Sequence, residues 1–420
     1  MTEKMKPSGI GWIKDIPESW KTSKVKFLAI EPGTLFLDGD WIESDVIEES
    51  GIRYLTSGNV GAGFYKDQGS GHISEKTFNE LHCLKVFPGD LMISRLNEPI
   101  GRACIVPEGE PCYVVAVDNV ILRPNKKYDR KFIMYAMNTE GYAEHGNMIA
   151  RGATMARVSR SQLGQFWLAF PGITEQRAIA DFLDAQCAKI DSVIADIEKQ
   201  IETLHKYKKS LITETVTKGC TTGSKTKTVR LDFADEINEA WIETRVKYLC
   251  SMYSGDNLTS SDIEPEGDYP VYGGNGLRGF YAAYTNDGEH VLIGRQGALC
   301  GNVHLVSGKF WATDHAVVTY PYEGMCNGYL FYLFSAMNLN QYSQTAAQPG
   351  LAVAAIQNLS TCIPPTTVIQ QEIAKYLDEK CGKIDSIIEA KRKQLEIMEE
   401  YKKSLIYEYV TGKKRVTEVN

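Results

Sequence analysis

A segment of 43 residues occurs twice in this chain. EQRAIADFLDAQCAKIDSVIADIEKQIETLHKYKKSLITETVT, from Glu175, aligns without a gap to IQQEIAKYLDEKCGKIDSIIEAKRKQLEIMEEYKKSLIYEYVT, from Ile369, at a constant offset of 194, and 23 of the 43 positions are identical. A duplication on this scale constrains the fold more than any composition figure, because each copy must bury the same surface in the same way. A second echo pairs WKTSKVKFL at Trp20 with WIETRVKYL at Trp241 at an offset of 221, and MISR against LIGR near Arg95 and Arg295 is a fainter third. The chain reads as variable block, long similar segment, variable block, long similar segment.

The repeated segments carry a heptad pattern. Leu183, Ile190, Ile197, Leu204 and Leu211 recur every seven residues with Cys187, Ile194 and Ile201 as companions; the second copy gives Leu377, Ile384, Met398 and Leu405 with Cys381, Ile388 and Leu395, and one polar insert at Lys391. Such a stripe needs a partner helix to cover it. Pro171 and Pro364-Pro365 stand upstream, Thr367 with Gln370 fits a capping box, and Gly219 and Gly412 follow the last periodic residues. Each helix should run about 44 residues, roughly 65 Å at 1.5 Å per residue. Two similar stripes with a globular block between them pack most economically on each other as an antiparallel pair; two amphipathic helices each lying on its own domain is the plainer alternative.

The blocks between, residues 1–170 and 235–365, mix short β-rich runs (LMISRL, VILRP, HVLIGR, AVVTYP) with helical stretches (KFIMYAMNTEGY, YLFYLFSAMNLNQY), which points to an α+β, mixed α/β class. The boundaries implied are a first head at 1–170, a helix at 171–218, a Gly/Ser/Thr/Lys linker at 219–234, a second head at 235–365, a helix at 366–412 and a tail at 413–420. Ten cysteines never come closer than eight residues, so zinc or thioredoxin spacing is missing and reduced thiols are expected. The first residues lack the apolar core of a signal peptide and no run approaches the roughly 20 apolar residues that span a bilayer, so a cytoplasmic location without membrane contact is expected. The net charge of −7 argues against a free-standing nucleic-acid binder, an objection to be met below.

Three patterns imitate catalytic sites. GGNGLRG holds a GxGxxG at Gly274, Gly276 and Gly279, but strand-like FYAAY follows where the dinucleotide fingerprint requires a helix, so a tight surface loop is expected. Asp378, Glu389 and Lys391 fit a loose nuclease spacing inside a helix whose other copy has Ala195 at a required carboxylate. His290, His304 and His315 with Asp314 lack metal-ligand spacing. No methyltransferase, ATP-loop or hydrolase motif is present, so no catalytic, cofactor or metal residues are assigned. What remains is a duplicated chain with two heads and two helices, suited to reading two half-sites with one polypeptide. A protein-bridging scaffold without DNA readout is the rival function, and a monomeric endonuclease is a third that lacks a site.

The arrangement closely resembles the specificity subunit of type I restriction-modification enzymes. The resemblance is carried by the helix starts PGITEQRAIADFLD and PPTTVIQQEIAKYLD, the twin KIDS and YKKSLI segments, the WKTSKVKFL and WIETRVKYL openings, YPVYGGNGLRGFY, VLIGRQGALCGNV with WATDH, and RYLTSGNVGAGFY with PGDLMIS. The first start keeps the family's EQ, whereas the second reads Gln370-Gln371. The resemblance implies two target-recognition domains in tandem and two spacer helices forming an antiparallel coiled coil. It also implies double-stranded DNA as ligand, two docked methyltransferase subunits, and restriction subunits joining for cleavage. S-adenosylmethionine, magnesium and ATP would then sit on the partners, which would also hold much of the phosphate backbone and so meet the charge objection. Residues 145–174 hold Arg151, Arg157 and Arg160 without an acidic residue, while residues 324–371 hold no charged residue and are rich in Gln, Asn, Ser and Thr. Arg reads guanine and Gln or Asn reads adenine in the major groove. The candidate DNA contacts are therefore Arg95, Arg102, Asn147, Arg151, Arg157 and Arg160 in the first head, and Asn275, Arg278, Arg295, Gln344 and Gln348 in the second.

Overall fold

The apolar stripes do form helices, at Ile173–Lys218 and Thr367–Val410. In the computed structural model, which describes residues 4–416 except 97–98, 153–155, 222, 298 and 344–349, the chain divides into two compact units. Residues 1–196 and 394–420 make the first, residues 197–393 the second. Each unit joins one head to the beginning of one long helix and the end of the other.

Inside the first unit, Phe182 stacks on Tyr409 with ring centroids 4.6 Å apart and Asp191 accepts from Lys402 at 2.5 Å, so a step forward on one helix is a step back on the other. Inside the second, Lys208 donates to Asp385 at 2.7 Å and Lys391 to Gln200, which again fixes an antiparallel course. The charges help to choose that direction. A parallel, in-register pair would set Asp191 against Asp385 and Lys208 against Lys402, like against like. The apolar seam is buried at Leu183, Ile190, Ile197, Leu377, Ile384, Ile388 and Leu405, and only half covered at Ile194, Ile201, Leu204, Leu211, Leu395 and Met398. Lys391 also lies half-buried on the seam, with its amine turned to Gln200.

The helix ends are stapled to their heads by a pair of buried glutamines. Gln176 accepts from the Asp129 N–H at 2.8 Å and donates to the Pro171 and Lys127 carbonyls; Gln370 accepts from the Cys326 N–H at 3.0 Å. Gln370 thus stands where Gln176 stands, and the departure in the second start is Ile369 in place of Glu175, not the Gln370-Gln371 pair. The capping box is corrected too. Thr367 is the first helical residue and its hydroxyl donates to the Gly324 carbonyl, while Thr366 accepts from the Ile369 N–H and Gln370 is occupied by Cys326. At the other ends Gly219 (φ +90°) and Gly412 (φ +72°) take the left-handed conformation that closes a helix.

The two heads share a topology that their sequences hardly show. In the first, strands Leu35–Asp38, Asn119–Arg123, Leu91–Ser94 and Ala103–Ile105 form an antiparallel sheet in that order. The second head orders Cys250–Ser254, Ala316–Pro321, His290–Gly294 and Val303–Val306 the same way. Each head adds a smaller sheet with one parallel pairing, Ile52–Leu55 with Tyr113–Val115 and Tyr269–Gly273 with Trp311–Ala312. Each opening WKTSKVKFL or WIETRVKYL pairs antiparallel with the strand before the next long helix, Lys21–Lys24 with Trp167–Phe170 and Ile242–Arg245 with Ser360–Ile363. The first core sets Trp20, Phe132, Phe166 and Phe170 against Leu183, Ile190, Leu405 and Val410; the second sets Trp241, Tyr329 and Phe334 against Ile212, Val216, Ile373 and Leu377.

Part of the uncharged stretch 324–371 owes its neutrality to this core. Helix Asn327–Ala336 buries Tyr329, Leu330, Tyr332, Leu333 and Phe334, and Thr361 and Cys362 are buried in the strand that follows. Those positions exclude charge because they are dry.

Candidate nucleic-acid interface

A residue that reads a ligand must have a side chain to spare, and this criterion separates the candidates. Arg95 follows strand Leu91–Ser94; its guanidinium donates to the Val117 carbonyl at 2.6 Å and faces Asp38 at 3.5 Å and Asp118 at 4.0 Å. Arg102 is half-buried and donates to the carbonyls of Val60, Leu96, Pro99 and Ser57 at 2.8 to 3.2 Å, tying two loops together. Burial pulls its pKa down from the usual arginine value. Arg160 donates to Asp38 at 2.9 Å and to the Phe36 carbonyl at 2.9 Å. These three arginines are held by the protein itself. Asn147 is exposed on helix Glu140–Ile149.

Arg151 and Arg157 are different. They face each other across a short antiparallel bridge, with the Arg151 N–H donating to the Arg157 carbonyl at 3.1 Å and the reverse bond at 3.0 Å. Both are exposed, and their side chains make no hydrogen bond or ion pair among the described residues. The backbone fastens them to the sheet, since Arg157 also bridges Leu96 and Val158 donates to the Arg95 carbonyl at 3.1 Å.

The second head repeats this framework with other side chains. Arg295 donates its N–H to the His315 carbonyl and accepts from Leu351, as Arg95 does with Asp118 and Val158, and Gln296 bridges Gly350 as Leu96 bridges Arg157. The Arg295 guanidinium, however, meets the Ser254 hydroxyl at 2.9 Å, where the first head has the carboxylate of Asp38. Asn275 sits in the turn between strands Tyr269–Gly273 and Gly276–Tyr281, accepting from Asn302 at 3.1 Å, and exposed Arg278 donates to Ser260 at 3.4 Å. Gln344 and Gln348 lie outside the described residues.

The GxGxxG is therefore the turn of a β-hairpin. Gly276 has φ +94°, and a Cβ on Gly279 would meet the Glu264 carbonyl at 2.6 Å, so these glycines serve the turn and a close backbone approach. His290 bonds the Thr319 and Asp287 carbonyls, His304 has its pKa lowered by burial, and His315 lies 3.9 Å from Asp314. Asp378 accepts from the Tyr332 hydroxyl at 2.7 Å, as Asp184 does from Tyr135. Among the described residues no group of three or more His, Cys, Asp or Glu could hold a metal ion, and no helix is long and apolar enough to cross a membrane. Sequence reasoning missed Asp38, which orders two arginines, and the exposed aromatic rings Trp41 and Phe64. No motif marks either kind, because only the fold decides which carboxylate meets which arginine and which ring stays in water.

Comparison with known proteins gives these features a family. The model of the type I restriction modification DNA specificity domain matches residues 17–203 and 238–397, once for each half of the duplication. The chain belongs to that family. The specificity subunit of the type I restriction enzyme EcoprrI from Escherichia coli is 43% identical over 148 residues, 34% of this chain and 37% of that protein. The specificity subunit of the type I restriction enzyme MjaVIII from Methanocaldococcus jannaschii is 24% identical over 326 residues, 70% of this chain and 73% of the relative. A solved chain from a study of complex assembly and conformational transition of the type I R-M system superposes with a TM-score of 0.72 at 13% identity, covering 95% of this chain and 99% of its own, which shows a shared fold.

Arg102 offers a direct check on this sorting. Arg102→Lys keeps the charge but loses the fork that satisfies four carbonyls, and each buried polar group left unpaired costs about 1–3 kcal/mol. The thermal midpoint of the purified chain is expected to fall by roughly 4 °C or more; an unchanged midpoint would contradict a structural role.

Proposed function

We propose that the chain is the non-catalytic DNA-reading subunit of a type I restriction-modification complex, each head reading one half of a split target. The observation that carries this reading is that one backbone framework recurs in both heads while the polar groups on it differ. Asp38 is answered by Ser254, Asp118 by His315 and Arg157 by Gly350. A scaffold kept constant beneath changing donors and acceptors is what two readers of different sequences require. In this reading the long helices set the gap between half-sites. S-adenosylmethionine, magnesium and ATP belong to the partner subunits, and the complex works in the cytoplasm.

The long helices also serve for docking. Val193 and Tyr401 are exposed in the first unit, and Ile387 and Tyr207 in the second, so each unit leaves one β-branched residue and one tyrosine in water at equivalent repeat positions. In this reading the recurrence of these exposed groups in both copies marks them as the protein contacts. Two equivalent sites take two methyltransferase subunits, and restriction subunits join the assembled complex.

Exchange of residues 1–170 for the corresponding block of a relative with a different target should change one half of the methylated motif and preserve the other; a motif altered in both halves would contradict independent reading. Tyr207→Lys and Tyr401→Lys should each lower the number of bound methyltransferase subunits from two to one, measured by native mass spectrometry of the co-expressed complex. Full occupancy in both variants would remove the helix faces from the docking surface.

A further inference from the structure

Arg151 and Arg157 are directly paired across an antiparallel bridge, so their side chains leave the same face of the bridge. Like charges set directly opposite each other on paired strands destabilise the pairing. Nothing on the described part of the molecule relieves this repulsion: neither guanidinium has an ion-pair or hydrogen-bond partner among the described residues, and residues 145–174 contain no Asp or Glu. The contrast lies close by. Arg95, Arg102 and Arg160 each meet a carboxylate or several carbonyls of the same head.

We infer that Arg151 and Arg157 form a two-pronged fork for a backbone phosphate of the DNA duplex, and that this fork exists in the first head only. The inference rests on the DNA-reading function proposed above and specifies which term of binding these residues supply. A phosphodiester set between two guanidinium groups replaces their mutual repulsion by two charge-assisted contacts. It brings affinity without sequence information. The second head cannot make the same fork, because Gly350 takes the place of Arg157 opposite Gln296. The two halves of the target are therefore held unequally at this place, the first with a phosphate contact that Gly350 denies the second.

The test uses the chain assembled with its methyltransferase subunits. Equilibrium binding is measured over a range of salt concentrations, on a duplex carrying the methylated motif and on a random duplex. For Arg151→Gln with Arg157→Gln, binding is expected to weaken by the same factor on both duplexes. The slope of log affinity against log salt should become shallower by about 1, the change expected when one phosphate is no longer neutralised. The methylated motif should stay the same, and the thermal midpoint should hold or rise, since a repulsive pair has been removed. Arg151→Lys with Arg157→Lys should recover most of the slope. An unchanged slope, a relaxed base position in the motif, or a lowered thermal midpoint would each overturn the fork, the second by showing base reading and the third by showing a structural role. Failure of the unaltered complex to bind either duplex would instead overturn the proposed function itself.

Discussion

An apolar stripe carried along helices of 46 and 44 residues cannot remain in water, and its burial organises everything else in this molecule. In each unit the beginning of one long helix is covered by the end of the other, and the same two segments close the core of a head. Leu183, Ile190 and Leu405 pack with Trp20 and Phe132, while Ile212 and Leu377 pack with Trp241 and Tyr329. The heads thus depend on the seam for part of their own interior. The seam in turn depends on antiparallel direction, which the pairs Asp191 with Lys402 and Asp385 with Lys208 favour. Partly exposed ion pairs of this kind contribute only about 0–1 kcal/mol each, so they select among arrangements that apolar burial drives.

The duplication extends that logic to the ends of the chain. Hairpin Thr226–Leu231 with Ala234–Asn238 follows the first long helix, and the Trp241 indole donates to the Val216 carbonyl at 2.8 Å. Hairpin Met5–Pro7 with Asp15–Pro17 takes the same part for the second: Lys413 donates to the Ile13 carbonyl at 3.0 Å, and a Cβ on Gly412 would strike Pro17 at 2.4 Å. Each head is thereby built on the end of a long helix in the same way, although one of the two joints connects segments nearly 400 residues apart in sequence.

What could be read in the sequence follows the physics of each element. The helices were legible because a 3.5-residue period over more than forty residues has no other economical explanation, and their ends because glycine is the residue suited to the left-handed conformation at Gly219 and Gly412. The common topology of the heads was not legible. Their strands are two to six residues long, and equivalent strand positions carry different residues in the two heads, as Asp38 and Ser254 illustrate. The capping box at Thr367 misled by one residue because Thr366 has the same chemistry. Among the candidate contacts, nothing in the sequence separates Arg102 from Arg157. Each is an arginine in a loop, and only folding brings the carbonyls of Ser57, Val60, Leu96 and Pro99 together around the first and, among the described residues, none around the second.

In the proposed function one chain reads two separate stretches of DNA at a distance fixed by its own helices. Insertion of four residues into the first long helix adds roughly 6 Å, nearly two base-pair steps of about 3.4 Å, and keeps the apolar stripe almost in phase. The decisive measurement is the methylated motif, read by sequencing native DNA from cells that carry the unaltered or the lengthened chain. The account predicts two specified blocks separated by an unspecified gap, with both blocks unchanged and the gap wider by one or two base pairs in the lengthened chain. A continuous motif, or a gap that ignores the insertion, would contradict it.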